Sequence, residues 1–227
     1  MSSTPDPALG VDELLGTTRS LRRRLDLDAA VDLDVVDECL RLAMQTPNGS
    51  NAQRWRWIVV SAPELRAEIA AIVTDAYHQL TGTSPDDGPR PAAPPELLDD
   101  MTPAARIGVS SRWLVEVMAD VPVHVIPCVA RYQTPGPGLE QFHEATLWGS
   151  IFPAVWNFQL ALRSRGYGTC LTTLHLVGHD RMAELLGIPP EFRQACLLPV
   201  ARIRGANRFR PAPRLPLAEV VGRDGWS

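Results

Sequence analysis

Three short polar blocks carry the residue types that could grip an anion: "TRSLRRR" (Thr18 to Arg24), "PNGSNAQ" (Pro47 to Gln53) and "APRLP" (Ala212 to Pro216). A dianionic phosphate is best held by several guanidinium forks, a hydroxyl and backbone donors at a helix end. Arg19, Ser20, Arg22 and Arg214 supply those types. The middle block adds small amides and a hydroxyl, Asn48, Ser50, Asn51 and Gln53, around an Asn-Gly pair that marks a tight turn. Spacing alone favours a plainer reading, arginines solvated on exposed helices, which is a common arrangement.

Other chemistries are poorly served. "PGPGLE" and "GYGTC" fall short of a dinucleotide-binding glycine pattern, and neither a P-loop nor a G-x-S-x-G nucleophile turn occurs. His175 and His179 form H-x-x-x-H, which on one helical face could hold zinc for a metal-dependent hydrolase. The adjacent Glu of that motif is missing and Gly178 interrupts the helix, so packing or surface histidines describe the pair better. His124 lies in an apolar run and reads as a hydrogen-bonded core histidine. No convincing acid/base pair is visible.

The elements that must position these blocks follow from periodicity. Val11 to Arg24 reads as a helix. Asp34 reads as the N-cap of a second, with Val35, Val36, Cys39, Leu40, Ala43 and Met44 on one face until Pro47. Trp55, Trp57 and Val59 alternate as a strand with one buried face. Pro63 to Leu80 is helical, Thr81 to Glu96 is a Pro/Gly/Asp-rich loop or lid, Leu97 to Ala119 holds one or two short helices, and Val121 to Ala130 is a buried strand. "RYQTPGPG" then turns the chain. Leu147, Ile151, Val155, Phe158 and Leu162 define a long helix from Leu139 to Arg165, with Pro153 kinking it or marking its start. Trp148, Phe152 and Trp156, four apart on it, read as core or subunit contacts. A strand "TCLTTL", a helix from Gly178 to Leu186, a strand "ACLLPVARI" and an extended Pro-rich end, "RFRPAPRLPLAEVV", complete the chain. Without a clean βαβ rhythm, the pattern predicts an α+β fold with a mostly antiparallel central sheet flanked by helices.

The 227 residues, 45% of them hydrophobic, can bury one sizeable core, so a single domain over residues 1–227 is expected, with a C-terminal extension from 206. A net charge of -4 argues against nucleic-acid partners, although all 22 basic residues are Arg. No 18-residue apolar run and no leader pattern appear, and Cys39, Cys128, Cys170 and Cys196 are too scattered for a C-x-x-C site. The reading is a cytoplasmic protein with reduced, packed thiols and no membrane partner.

Taken together and in order, "TRSLRRRL", "TPNGSNAQRWRWIVV", "ALRSRGYGTCLTTLHL" and "PAPRLPLAEVV" resemble the blocks of the FMN-dependent nitroreductase family. The resemblance covers the two outer thirds of the chain and is weak from Pro63 to Glu140. It implies a homodimer with two FMN sites at the subunit interface and the C-terminal extension wrapping the partner. NADPH or NADH would serve as co-substrate, and a nitroaromatic, quinone or related small molecule as electron acceptor. Carried over residue by residue, Arg19, Ser20 and Arg22 match the first basic block, Arg19 on the phosphate and Arg22 beside the N1 and O2 edge of the flavin. Asn48, Ser50, Asn51 and Gln53 match a loop that closes over the flavin of the neighbouring subunit. Thr173 and Leu174 match the backbone facing N5 and O4, and Arg214 the C-terminal phosphate anchor.

Three positions depart from the pattern: Thr18 where the family usually has a first Arg, Asn48 where Ser is common, and Arg54 where Pro usually precedes the Trp. Arg23 and Arg208 are candidates to replace the missing Arg. With hydride chemistry carried by the flavin, no side chain is required as a proton-transferring acid, and Arg22 serves as the electrostatic stabiliser. Relatives of the same fold that store or fragment flavin, or remove halogens without NAD(P)H, are the rival expectation.

Overall fold

The computed structural model describes residues 9–84, 102–131 and 136–226. The loop or lid expected over 81–96 and part of the turn after Ala130 therefore lie largely outside the described residues. Six strands form one sheet in which every pairing is antiparallel. Strand β3 (Val123–Ala130) is central. It pairs with β2 (Trp55–Val60) along one edge, and with β6 (Leu198–Ile203) and then β5 (Phe192–Gln194) along the other. Strands β1 (Leu25–Asp26) and β4 (Tyr167–Thr169) both pair with β6. Arg202 pairs with Asp26 and with Tyr167, so these two short strands lie on opposite sides of β6.

Helices cover both faces, which is why β3 is buried along nearly its whole length. Val123, Val125 and Val129 face helices α2 (Leu33–Ala43) and α5 (Glu140–Ser164). The alternate residues Ile126 and Cys128 face α3 (Pro63–Thr81), α4 (Pro103–Glu116) and α6 (His179–Leu186). Period-two alternation thus feeds two cores instead of one core and solvent. The same holds for β2, expected to bury one face: Trp57 packs on Phe158 of α5 with ring centres 5.6 Å apart, while Val60 joins the opposite core.

Several boundaries differ from the sequence reading. Helix α1 (Val11–Thr17) stops seven residues before Arg24. The Thr17 and Thr18 hydroxyls donate to Glu13 O at 2.6 Å and Leu14 O at 2.5 Å, and Leu21 N is taken by Thr169 O at 2.9 Å, so the basic block runs along the sheet. Asp32, not Asp34, caps α2, accepting from Asp34 N at 3.0 Å. Helix α5 runs unbroken through Pro153, which is therefore not its start. Of the strand predicted over Thr169 to Leu174, only Thr169 is in a strand, at the end of β4; an isolated bridge joins Thr172 to Leu197 and a 3₁₀ turn follows over Leu174–Gly178. The strand expected from Ala195 to Ile203 shortens to β6, and a separate short strand, β5, precedes it.

Gly168 makes the crossing of the basic block over β4 possible. A Cβ built there would stand 3.0 Å from Leu25 Cδ2 and 3.2 Å from both Ile203 Cγ1 and Leu21 Cδ1. Gly168→Ala is therefore expected to lower unfolding free energy by about 1–3 kcal/mol through overpacking, read as a shifted urea midpoint at unchanged m-value.

Candidate functional site

The basic block, the C-terminal end of α5 and residues 204–210 meet at one place. Arg163, in the last turn of α5, is only 2% exposed. Its Nε donates to Asn207 Oδ1 at 2.6 Å, its Nη1 to Thr17 O at 3.2 Å and Thr18 Oγ1 at 3.4 Å, and its Nη2 to Thr17 Oγ1 at 3.1 Å and Asn207 O at 3.4 Å. Arg24 donates to Arg204 O at 2.8 Å and Ala206 O at 2.5 Å, and Arg19 Nη2 donates to Arg210 O. The Phe209 ring lies among the three guanidiniums, 4.4 Å from Arg163 Cζ, 4.7 Å from Arg24 Cζ and 6.0 Å from Arg19 Cζ.

Charge at this junction is one-sided. Glu13 pairs with Arg208, and among the described residues Arg19, Arg24 and Arg163 make no ion pair. Burial pulls the Arg163 pKa down, and the nearby Arg19, Arg208 and Arg24 add to the effect against the opposing pull of Glu13. Arg19 Nε is buried without an acceptor. Surplus cations and an orphaned guanidinium N–H are what a phosphate would satisfy, so the residues fit one. Ser20 is exposed beside them.

Arg22 lies close enough to the buried Cys170 thiol to act on its charge. Burial pushes that thiol up to about 11 while the Arg22 charge pulls the other way. Three residues on, the exposed Thr173 accepts from Leu176 N at 3.0 Å, and its own N–H donates to no group among the described residues. Thr172 and Leu197 exchange two backbone hydrogen bonds, of 3.0 and 2.8 Å, and so fix this stretch. Arg22 and the Thr173–Leu174 backbone are thus brought to one neighbourhood by β4. Leu176 then opens a cleft of about 420 Å³ between α6, β5 and α5, also lined by Arg131, Trp148, His179, Phe192 and Arg193. Arg193 stacks on Trp148 at 4.8 Å and pairs with Glu144 at 2.6 Å. Hydrogen bonds from Arg193 and Trp148 hold the Glu144 carboxyl below its ordinary range.

The amide loop is held in a strained form. Ser50, Asn51 and Gln53 have φ of 53°, 49° and 48°, left-handed values that non-glycine residues seldom adopt. Asn48 sustains that shape, its Oδ1 accepting from Gln53 N at 2.9 Å and its Nδ2 donating to Asn51 Oδ1 at 3.5 Å, while Ser50, Asn51 and Gln53 remain exposed. Gly49 N donates to Ser150 Oγ at 3.1 Å and Asn157 Nδ2 to Thr46 Oγ1 at 2.7 Å, which ties the loop to the middle of α5. Such clustered strain marks functional loops.

Arg214 stays outside the arginine junction: among the described residues it donates only to Pro213 O, at 2.9 Å, on an exposed tail. Leu215, Leu217, Val220, Val221 and Trp226 are exposed on the same tail. Arg208, expected as one replacement for the missing Arg, is drawn to Glu13. His175 is fully buried in the 3₁₀ turn and His179 opens α6 at the surface, so the two do not share a helical face. Among the described residues no group of three or more His, Cys, Asp or Glu is placed to hold a metal, and no helix is long and apolar enough to cross a membrane. Arg163 is the site residue that sequence reasoning missed. The signal was its place four residues after Gln159, putting two polar side chains in line with an apolar helical face.

The Nitroreductase family model matches residues 15–202, which include the basic block, the amide loop and the Thr173 stretch. The chain belongs to the nitroreductase family. The crystal structure of the FMN and NADPH-dependent nitroreductase NfnB from Sphigopyxis sp. strain HMH shares its fold, with a TM-score of 0.67 and 21% identity over 96% of this chain and 100% of that one. Iodotyrosine deiodinases of Drosophila melanogaster and Hydra vulgaris are 25% and 21% identical over 86% and 83% of this chain. The chain spans 63% and 64% of the length of those two relatives.

Two buried histidines of this nitroreductase-family chain give it a pH-dependent stability. Burial pulls both His124 and His175 from 6.5 down to about 4. A depressed folded pKa means the unfolded chain binds protons first, so stability is complete above pH 6.5 and is lost as pH falls toward 4. Each histidine accounts for about 3 kcal/mol. Urea unfolding between pH 7 and 4.5 should show this fall, and His175→Leu should remove roughly half of its slope.

Proposed function

We propose that this protein is an FMN-dependent oxidoreductase that takes electrons from NADPH or NADH and passes them to nitroaromatic, quinone or related small acceptors, working as a homodimer. The carrying observation is the arginine junction, where buried and half-buried guanidiniums lack carboxylates and Arg19 Nε lacks any acceptor. A phosphate monoester dianion answers both deficits. Family membership makes the mononucleotide a flavin.

Bound FMN supplies a two-electron, hydride-accepting ring. The chain's own residues do the rest. Arg19 and Ser20 grip the phosphate, with Arg214 joining from the tail. Arg22, beside Cys170, would supply positive charge to the bound ring, and the Thr173 N–H would offer it a hydrogen-bond donor. NAD(P)H and acceptor occupy the same space in turn, which makes turnover ping-pong and frees the protein from needing an acid or base. The cleft beside Leu176 has the volume of a small aromatic acceptor.

The dimer rests on two features of the chain. The apolar tail residues from Leu215 to Trp226 stand off their own body, and a partner surface would cover them. Ser50, Asn51 and Gln53 are exposed, ready to close over a partner's flavin. Residues 1–227 act as one domain with 206–227 as its extension, and four buried free cysteines suit a reducing cytoplasm.

A second reading, reductive dehalogenation of an aromatic without NAD(P)H, is supported by the two deiodinase relatives. Purified protein should be yellow, elute as a dimer, and oxidise NADPH or NADH faster with a nitroaromatic or quinone present. Iodide release from an iodotyrosine by the dithionite-reduced protein, with no NAD(P)H oxidation, would move the assignment to the second reading. Arg22→Leu should retain FMN but slow its reduction about 10²-fold in stopped flow.

A further inference from the structure

We propose that Arg163 is the positioning cation of the phosphate site, taking over from α5 the charge that the family's block carries at position 18 and this chain replaces with Thr18. This rests on the FMN reading above. The geometry assigns the substitution directly: Thr18 Oγ1 donates to Leu14 O at 2.5 Å and accepts from Arg163 Nη1 at 3.4 Å, so the side chain of residue 18 is turned toward the arriving guanidinium.

Arg163 does not touch the ligand. All five of its N–H donors are committed, to Thr17, Thr18 and Asn207, and Asn207 Nδ2 returns a bond to Arg163 O at 2.8 Å. The residue thereby locks together the segment leading into Arg19 and the segment leading into Phe209 and Arg210. A tie of this kind needs hydrogen bonds but no charge, and a neutral amide would avoid the repulsion of Arg19, Arg24 and Arg208. A cation at 2% exposure, with no ion pair of its own, beside three more guanidiniums and only the one nearby carboxylate, Glu13, which is engaged by Arg208, costs stability until an anion arrives. The charge is explained when the anion is a ligand.

The test compares FMN with riboflavin, which lacks the phosphate, by fluorescence titration of the flavin-stripped full-length chain at several NaCl concentrations. Wild type should favour FMN strongly, with a preference that weakens as salt rises. R163Q should weaken FMN binding about tenfold or more and leave riboflavin within about twofold. R163K keeps the charge but loses the fork, and should retain most of the FMN preference. T18R/R163Q, which returns the guanidinium to the end of α1, should regain it.

R163K behaving like R163Q would reduce Arg163 to a hydrogen-bonded tie and overturn the proposal. Equal loss of both flavins in R163Q, or no rescue by T18R in a folded double variant, would overturn it as well. If R163Q does not fold, R163K and T18R/R163Q decide. Wild type binding FMN and riboflavin equally would refute the phosphate site while sparing the flavin. Wild type binding neither would refute the flavin reading itself and take this inference with it.

Discussion

Arg163 is buried with no ion pair of its own, and three chain segments meet around its charge. Thr17 and Thr18, at the C-terminal end of α1, offer it a carbonyl and two hydroxyls. Asn207 folds back to receive its Nε, which sets Phe209 against the guanidinium face. The last turn of α5 holds it at the edge of the packed core. The same segments are also joined by Arg24 and Arg19 donating to carbonyls of residues 204–210 and by apolar packing of Leu21, Leu25 and Phe209. The cost of burying an uncompensated cation is repaid by many hydrogen bonds and, on the reading argued above, by a bound dianion.

The rest of the architecture supplies rigidity to that junction. A sheet buried on both faces cannot slip register without moving every apolar side chain into the wrong core. β4 therefore presents Thr169 O to Leu21 N at a fixed place, and Gly168 lets the two strands of chain approach more closely than any side chain would allow. Arg22 reaches Cys170 for that reason. The chemistry-bearing residues sit on segments just outside regular structure, where the sheet fixes their ends and leaves their side chains available.

How much of this was legible in the sequence depends on whether local or distant contacts decided the outcome. The long helix, α3, β3 and the antiparallel sheet followed from period alone, because periodic burial is what forms them. The end of α1 was not legible, since Thr169, some 150 residues away, removes Leu21 from the helix. The buried second face of β2 was hidden for the same reason: Trp55, Trp57 and Val59 look like one apolar stripe until α3 covers the other side. The anion-gripping residues of the basic block could be named from their types, and the resemblance supplied their roles. Arg163 could not be named, because a charge in a helical face reads as surface until the fold shows what surrounds it.

The amide loop and the arginine junction are both tied to α5, one at Ser150 and the other at Arg163. Thirteen residues of α-helix separate those anchors by about 20 Å at ~1.5 Å per residue. The loop's own geometry uses Asn48 internally and leaves Ser50, Asn51 and Gln53 exposed, so it does not fold back to close that gap. On the dimeric reading proposed above, a cofactor gripped at the junction would be covered by the loop of another copy. The strained φ values point the same way, since left-handed non-glycine residues persist where an arrangement is worth more than its local cost. In a symmetric pair each copy would offer its strained loop to the other's site, and the apolar tail beyond Arg214 would find the surface it lacks on its own chain.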